Sequence, residues 1–195
     1  TAVGCLSTAN VPNIPGLDEF AGEWYHTGRY PPEGVDFAGK RVGLVGTGST
    51  GIQAAPVIAE TAAHLTVFQR TPNFVVPARH QKLDEAAIRF WKDDYPRHRA
   101  RARDVGTFYE FSDKGAMEAD EAERAREYER RWREGGVNFV HAFKDLYLDQ
   151  AANDTAADFV RARIRDLVHD PAVAERLSPR DHPLGTKRIC VGADY

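Results

Sequence analysis

Cysteine is almost absent from this 195-residue chain, which carries only Cys5 and Cys190. Two thiols this far apart have none of the close spacing of a metal knuckle or a redox pair. The sequence therefore predicts no metal site. It indicates two reduced thiols in a reducing compartment, which we expect to be the cytoplasm.

Long apolar runs and an excess of positive charge are also lacking. No hydrophobic stretch approaches the roughly 20 residues that a membrane-spanning helix needs. The formal net charge is −3, whereas a general nucleic-acid binder is usually clearly basic. The composition, with 42% hydrophobic residues, is that of a globular protein with a sizeable core, and it argues against membrane and nucleic-acid partners.

Regular periodicity is missing from residues 1–39. Residues 11–16, VPNIPG, hold two prolines and a glycine, and residues 20–31, FAGEWYHTGRYP, crowd rings and glycines together without a period of 2 or 3.6. Unstructured stretches of this length are usually functional or linking segments. The chain also starts at Thr1 in a small-residue stretch and stops at Tyr195 just after an apolar run. We therefore expect an internal segment of a longer protein, with a linker over residues 1–39.

Residues 40–82 have the pattern of a strand, a glycine turn, a helix and a second strand. KRVGLV, residues 40–45, is a short apolar run closed by GTGSTG, and apolar side chains then recur at helical spacing. LTVFQ, residues 65–69, is typical of a strand. This order predicts a βαβ unit with parallel strands.

The glycine turn places Gly46, Gly48 and Gly51 at the G-x-G-x-x-G spacing. The first glycine permits a tight turn, the second lets phosphate approach the backbone, and the third lets helix pack on strand. The helix N-terminus offers N–H groups and a positive dipole to a pyrophosphate. Because the motif joins a predicted strand to a predicted helix, we expect it to bind a dinucleotide, with Thr47 and Ser49 contributing. A glycine turn retained for structural reasons is the alternative.

The end of the second strand indicates which dinucleotide is bound. NAD sites usually place Asp or Glu about 20 residues after the glycines, where it binds the ribose 2′-OH. This chain has no carboxylate there and instead carries Arg70 and Thr71. A guanidinium attracts the 2′-phosphate of NADP, which a carboxylate would repel. The residues therefore favour NADP over NAD, against the alternative of an exposed arginine that starts a loop.

A second basic pair, Lys187 and Arg188, lies in PLGTKRICV just before a predicted strand. Successive side chains along a strand point to opposite faces, so the two cations can serve different groups. From the residues alone, a solvated basic pair explains this pattern equally well.

A helical insertion is predicted over residues 83–177, because apolar residues recur there at helical spacing. The basic stretch 97–103, RHRARAR, suggests either a phosphate site or a solvated helix end, and we favour the solvated end. Residues 178–195 are expected to return to the sheet through a loop and the strand RICV. The helical patterns occupy residues 88–95, 125–132, 139–147 and 160–168.

Taken together, these motifs resemble the type I Baeyer–Villiger monooxygenases. The fingerprint of that family is F-x-G-x-x-x-H-x-x-x-(W/Y)-P, and the NADP glycine turn follows it at the distance found here. The segments VFQRTPNFVVPAR and PLGTKRICV also resemble segments of the family. The fingerprint positions are occupied by Phe20, Gly22, His26, Tyr30 and Pro31.

The resemblance implies an α/β fold, in which a Rossmann-like parallel sheet forms an NADP-binding domain with a helical insertion. It implies an enzyme that converts ketones to esters or lactones with FAD, NADPH and O2. Arg70, Thr71 and Lys187 would recognise the NADP 2′-phosphate, and Arg188 would be the active-site arginine beside the flavin. A fixed guanidinium there stabilises negative charge without reorganising.

The same resemblance assigns the fingerprint to a hinge between the NADP domain and an FAD domain. Only one G-x-G-x-x-G lies in this sequence, so FAD is expected to be bound mostly by a preceding segment. The remainder of the FAD domain would then be a partner, and this segment would be inactive alone. Two alternatives stay open: a fragment of a flavin N- or S-oxygenating monooxygenase, in which Tyr rather than Trp is favoured at position 30, and a non-catalytic nucleotide-binding module.

Overall fold

The computed structural model describes residues 8–80 and 82–192, and these residues form a mixed α/β fold. No helix in this part of the chain is both long enough and apolar enough to cross a membrane. In chain order the strands and α-helices are β1 Arg41–Val45, α1 Ser49–Thr61, β2 His64–Phe68, β3 Val75–Pro77, α2 Glu85–Asp93, α3 Tyr95–Val105, α4 Glu121–Glu134, α5 Gln150–Leu167, α6 Pro171–Leu177 and β4 Cys190–Gly192.

The predicted βαβ unit is confirmed. Strands β1 and β2 pair in parallel, with Arg41 opposite His64 and Val45 opposite Phe68, and helix α1 makes the crossover between them. A backbone bond from Ala63 N–H to the Lys40 carbonyl, 2.9 Å long, fixes the opposite end of the pair. The two strands therefore end together at the glycine turn.

The strand predicted in RICV forms as β4, but its partner is not the β1–β2 sheet. It pairs in parallel with β3, a strand that the sequence analysis did not predict, with Val75 opposite Cys190 and Pro77 opposite Gly192. In the described residues the sheet structure is thus two parallel pairs. Gln53 of α1 joins them by donating from Nε2 to the Val191 carbonyl over 2.8 Å.

The hydrophobic core lies in the helical insertion and β3, and the βαβ unit contributes little to it. Within β1, α1 and β2, Ile58 is the buried residue, while Val45 and Phe68 are 71% and 57% exposed. The large buried side chains come instead from the insertion, β3 and the segment before β4. They include Phe74, Val76, Tyr128, Trp132, Phe139, Phe143, Leu146, Val160, Ile164 and Leu184.

The predicted stretches 125–132 and 160–168 fall on α4 and α5, and 88–95 spans the end of α2 and the start of α3, but 139–147 is not an α-helix. Residues 139–147 form the end of a 3-10 helix, Gly136–His141, followed by turns. Gly135 and Gly136 both have positive φ, so the chain changes direction there instead of starting an α-helix.

The arginines of the basic stretch 97–103 are exposed on α3, as expected for a solvated helix.

Aspartates begin four of the helices and explain where they start. Asp84, Asp120, Asp149 and Asp170 each precede a helix and accept a hydrogen bond from a backbone N–H in its first turn. Such caps satisfy N–H groups that have no partner inside the helix, and a carboxylate also suits the positive end of the helix dipole. Helix α1 differs, because its cap residue is a glycine.

The burial of α5 predicts the effect of truncating a core side chain. Ile164 is fully buried in the core, so Ile164→Ala is expected to lower the free energy of unfolding by about 2–5 kcal/mol through lost contacts and a residual cavity. Denaturant unfolding of the variant protein measures the change. Arg165→Ala, an exposed position on the same helix, is the control and should stay within about 0.5 kcal/mol of the parent.

Candidate dinucleotide-binding site

The glycine turn connects β1 to α1 with very little space between them. Gly46 has φ +100°, a conformation that favours glycine, and its N–H donates to the Phe68 carbonyl over 2.9 Å. A Cβ on Gly51 would lie 2.3 Å from the Gly46 carbonyl oxygen, so no side chain fits there. These two glycines therefore act as the motif predicts, one in the turn and one in the packing of helix on strand.

The N-terminus of α1 is open on its outer side. Gly48 precedes the helix with ordinary extended backbone, no side chain caps this end, and the first turn holds no acidic residue. A Cβ built on Gly48 would meet nothing within 4 Å. The first N–H groups of a helix have no partner within it and carry partial positive charge, so this end suits an anion. Gly46, Gly48, Ser49 and Gly51 thus fit a pyrophosphate.

Thr47 has a structural role in the turn. It is 7% exposed, and its hydroxyl donates to the Thr71 carbonyl over 3.2 Å. Its own carbonyl accepts from Nδ2 of Asn73 over 2.5 Å. What Thr47 offers a phosphate is therefore its backbone rather than its hydroxyl. Asn73 was missed in the sequence analysis, although an asparagine in a loop that follows a strand is a common backbone partner.

Arg70 lies between two contacts with the glycine turn. Phe68, two residues earlier, accepts the Gly46 N–H, and Thr71, the next residue, accepts the Thr47 hydroxyl. The Arg70 side chain is exposed and makes no ion pair with the described carboxylates. Arg70 is thus an exposed arginine whose backbone lies beside the turn.

Lys187 and Arg188 come to the same region through β4. Cys190 begins that strand by donating its N–H to the Phe74 carbonyl over 3.0 Å, and its Sγ lies 3.9 Å from the Thr47 carbonyl oxygen. The two cations, two and three residues earlier, are exposed. The start of β4 and the glycine turn, more than 100 residues apart in the sequence, therefore lie next to each other.

Asp181 is an acidic residue whose charge interacts with that of Lys187. The hydrogen bond with His182, 2.9 Å long, is the largest cause of the lowered pKa of Asp181, and the positive charge of Lys187 lowers that pKa further. Lys187 forms no ion pair within 4.0 Å in the described residues. The charge of Asp181 therefore acts on the Lys187 ammonium from a distance, and no direct ion pair with a described carboxylate neutralises it.

The fingerprint residues lie in the chain before β1, where two short 3-10 helices replace longer secondary structure. Nδ1 of His26 accepts the Gly28 N–H over 3.0 Å, so this ring shapes the local turn. A Cβ on Gly22 would lie 2.7 Å from the Phe20 ring, which explains the need for glycine beside that ring. Phe20 and Tyr30 are 60% and 45% exposed.

A separate arginine-rich groove of about 830 Å³ lies over α4 and α5, away from the glycine turn. Three of its four arginines are paired: Arg130 contacts Glu134 at 2.5 Å, Arg133 contacts Glu129 at 2.8 Å, and Arg163 also contacts Glu129. Because carboxylates already neutralise most of these guanidinium groups, the groove is a poorer anion site than the glycine turn. Within residues 8–80 and 82–192, no cluster of His, Cys, Asp and Glu could hold a metal ion.

Comparison with known proteins agrees with this geometry. The family model of flavin-binding monooxygenase-like proteins matches residues 2–84. A Baeyer–Villiger monooxygenase of Pseudooceanicola batsensis is 43% identical over 199 residues, which cover 100% of this chain and 36% of that protein. The structure of an oxidised steroid monooxygenase bound to NADP superposes with a TM-score of 0.89 at 49% identity, covering 94% of this chain and 36% of that one.

The chain is homologous to the Baeyer–Villiger monooxygenases. The predicted resemblance and the α/β fold class are thereby confirmed. The homology extends beyond ketone oxygenation, because a phenazine N-monooxygenase of Lysobacter antibioticus is 41% identical over 100% of this chain and 36% of its own length. The chain thus spans little more than a third of the length of these relatives.

The turn geometry predicts different outcomes for substitution of two glycines that lie three residues apart. Gly51→Ala forces a methyl group against the Gly46 carbonyl and is expected to cost about 1–3 kcal/mol of stability. Gly48→Ala meets open space and has a permitted backbone conformation, so its cost should stay below about 1 kcal/mol. Thermal unfolding of both variants tests this order, and equal stability losses would contradict the close packing described for Gly51.

Proposed function

We propose that this chain is the NADP-binding middle segment of a flavin-dependent Baeyer–Villiger monooxygenase, which converts a ketone to an ester or lactone with NADPH and O2. One observation carries the proposal. The uncapped N-terminus of α1, the free Arg70 and the segment with Lys187 and Arg188 come together at one glycine turn. The homology to enzymes of this class supports the same conclusion.

The pyrophosphate of NADP would lie over the start of α1. Gly46 and Gly51 set the turn, and the open space at Gly48 lets a phosphate reach backbone N–H groups of Thr47 and Ser49. A negative charge is favourable there, because the first turn of α1 holds no carboxylate.

Arg70, Thr71 and Lys187 are proposed to recognise the 2′-phosphate that distinguishes NADP from NAD. Arg70 supplies a planar donor fork and Lys187 a mobile point charge, a combination that matches three phosphate oxygens from two directions. Both side chains are exposed and free of ion pairs with described carboxylates, so no internal partner has to be displaced on binding.

Arg188 is proposed as the catalytic arginine. FAD, held mostly by a segment outside this chain and reduced by NADPH, supplies the oxygen-transfer chemistry when it is bound. The role of Arg188 is to hold a permanent positive charge against negative charge that develops during oxygen transfer. A guanidinium suits this role better than an ammonium, because it is less strongly hydrated and does not lose its proton.

Phe20, Gly22, His26, Tyr30 and Pro31 are proposed to form a hinge that contacts the remainder of the FAD domain. Their partly exposed rings and the local turn set by His26 support this role. The proposal divides the chain into a linker (1–39), an NADP-binding unit (40–82), a helical insertion (83–177) and a returning loop and strand (178–195). It places the protein in the cytoplasm, in agreement with the free thiol of Cys190.

Oxygenation of a nitrogen or sulfur atom is the second candidate function. The homology to a phenazine N-monooxygenase favours it, as does Tyr30 in the fingerprint. The experiment that decides between the two is an assay of the complete protein with FAD, NADPH, O2 and a panel of ketones, amines and sulfides. Ester or lactone formation supports the first function, and N- or S-oxides without any ester support the second.

The 2′-phosphate assignment predicts a selective effect of Arg70→Ala on coenzyme binding. Loss of a charge-assisted contact is expected to cost roughly 1.5–3 kcal/mol of binding free energy and so to raise the KM for NADPH. The KM for NADH should stay nearly unchanged. Steady-state kinetics with both coenzymes measure the difference. Arg99→Ala, in the exposed basic stretch of α3, is the matched control and should alter neither value.

The assignment of Arg188 predicts that its substitution impairs catalysis without impairing coenzyme binding. Arg188→Ala is expected to lower the rate of ester formation by roughly 100-fold or more, because one stabilising donor is lost from the reaction site. Binding of NADP+ should persist, since Lys187 and Arg70 remain. Product analysis by gas chromatography checks the first point, and oxygenation at the parental rate would remove Arg188 from the catalytic role.

A further inference from the structure

Asn153, in the helical insertion, holds the backbone of the segment that carries the two functional cations. We call residues 183–188, PLGTKR, the basic segment. The Asn153 side chain is buried, and its Oδ1 accepts the Leu184 N–H over 2.9 Å while its Nδ2 donates to the Leu184 carbonyl over 2.8 Å. The same Nδ2 donates to the Leu146 carbonyl over 2.7 Å. One amide thus secures both polar groups of a residue three positions before Lys187.

The insertion also contacts the chain just before the basic segment and at Gly185 within it. Nε of Arg161 donates to the Pro179 carbonyl over 2.7 Å, just ahead of the segment. The ring of Tyr147 lies against Gly185, where an added Cβ would come within 2.0 Å of ring carbon Cε1, and Gly185 has φ +91°. The chain therefore has a fixed path immediately before it reaches Lys187.

Helix α5 gives Asn153 a rigid base. The buried face of this helix is made mostly of small or branched side chains, which allow close packing against its neighbours. Leu184 is itself 1% exposed, so its backbone groups have little access to water as replacement partners. Only a primary amide at position 153 donates and accepts in this geometry. The residues of the buried face are Ala152, Ala156, Ala157, Val160 and Ile164.

We propose that Asn153 is a positioning residue for coenzyme selection and oxygen transfer, acting through the basic segment. It sets where Lys187 meets the 2′-phosphate and where Arg188 meets the reacting atoms, without touching either group. This inference rests on the function proposed above. It gives the helical insertion a direct connection to the chemistry in addition to its place in the core.

Coenzyme selectivity separates positioning from simple stability. In the complete protein, Asn153→Asp keeps the acceptor for the Leu184 N–H but turns the donor into an oxygen that repels the Leu184 and Leu146 carbonyls. Calorimetric titration with NADP+ and NAD+ measures both affinities. We expect the affinity for NADP+ to fall by about 10-fold or more, and that for NAD+, which lacks the 2′-phosphate, to change less than about twofold.

Asn138→Asp is the matched control. Asn138 is a buried amide of the same insertion, 8% exposed, but it bonds to Arg131 and Glu134 rather than to the basic segment. Its substitution should leave the ratio of the two affinities at the parental value. If both affinities fall equally in Asn153→Asp, or if the ratio does not change, the positioning role is overturned.

A second variant keeps the inference testable if Asn153→Asp does not fold. Tyr147 is 56% exposed, so Tyr147→Ala removes the ring beside Gly185 at little risk to the core. A selective loss of NADP+ affinity supports the positioning of the segment from the insertion, and an unchanged ratio contradicts it. If the parent protein itself does not prefer NADP+ to NAD+, the proposed function fails first, whatever the variants show.

Discussion

The close approach of helix α1 to strand β1 is the constraint on which the site depends. Because Gly51 carries no side chain, the helix begins against the Gly46 carbonyl, and its N-terminus stays at the carboxyl ends of two parallel strands. The hydrogen bond from Gly46 to Phe68 then brings the end of β2 to the same place. Arg70 therefore reaches the turn through backbone geometry, which the bonds of Thr47 to Thr71 and of Asn73 to Thr47 secure on its other side.

Stability and chemistry occupy different parts of the molecule. Rings such as Trp132 and Phe139 are buried in the insertion, whereas the strands beside the glycine turn leave Val45 and Phe68 exposed. The core still acts on the site, because buried α5 presents Asn153 to the backbone before Lys187. A helical insertion that gives no chemical hint in the sequence thus holds the backbone three residues before Lys187.

The sequence predicts correctly those elements that depend on residues close together in the chain. The glycine turn, its flanking strands and α5 follow from residues within a few positions of one another. The helix predicted over 139–147 was wrong. Phe139, Phe143 and Leu146 lie on a 3-10 helix and the turns after it, and they reach the core without forming one face of an α-helix. Strand β3 and the role of Asn153 were missed because their partners, β4 and Leu184, lie far along the chain.

The arginines of this chain divide into two groups by their surroundings. Three on α4, Arg130, Arg131 and Arg133, pair with glutamates. Arg131, almost fully buried, bonds to Glu127 at 2.8 Å and also to Asn138. Such a cation is already compensated, and an incoming anion would have to displace its partner at a cost in desolvation. Arg70 has no such partner among the described carboxylates, and α1 begins without an acidic residue. Arg70 and the uncapped start of α1 therefore offer an anion positive charge that no described carboxylate has to release, whereas the paired arginines of α4 do not.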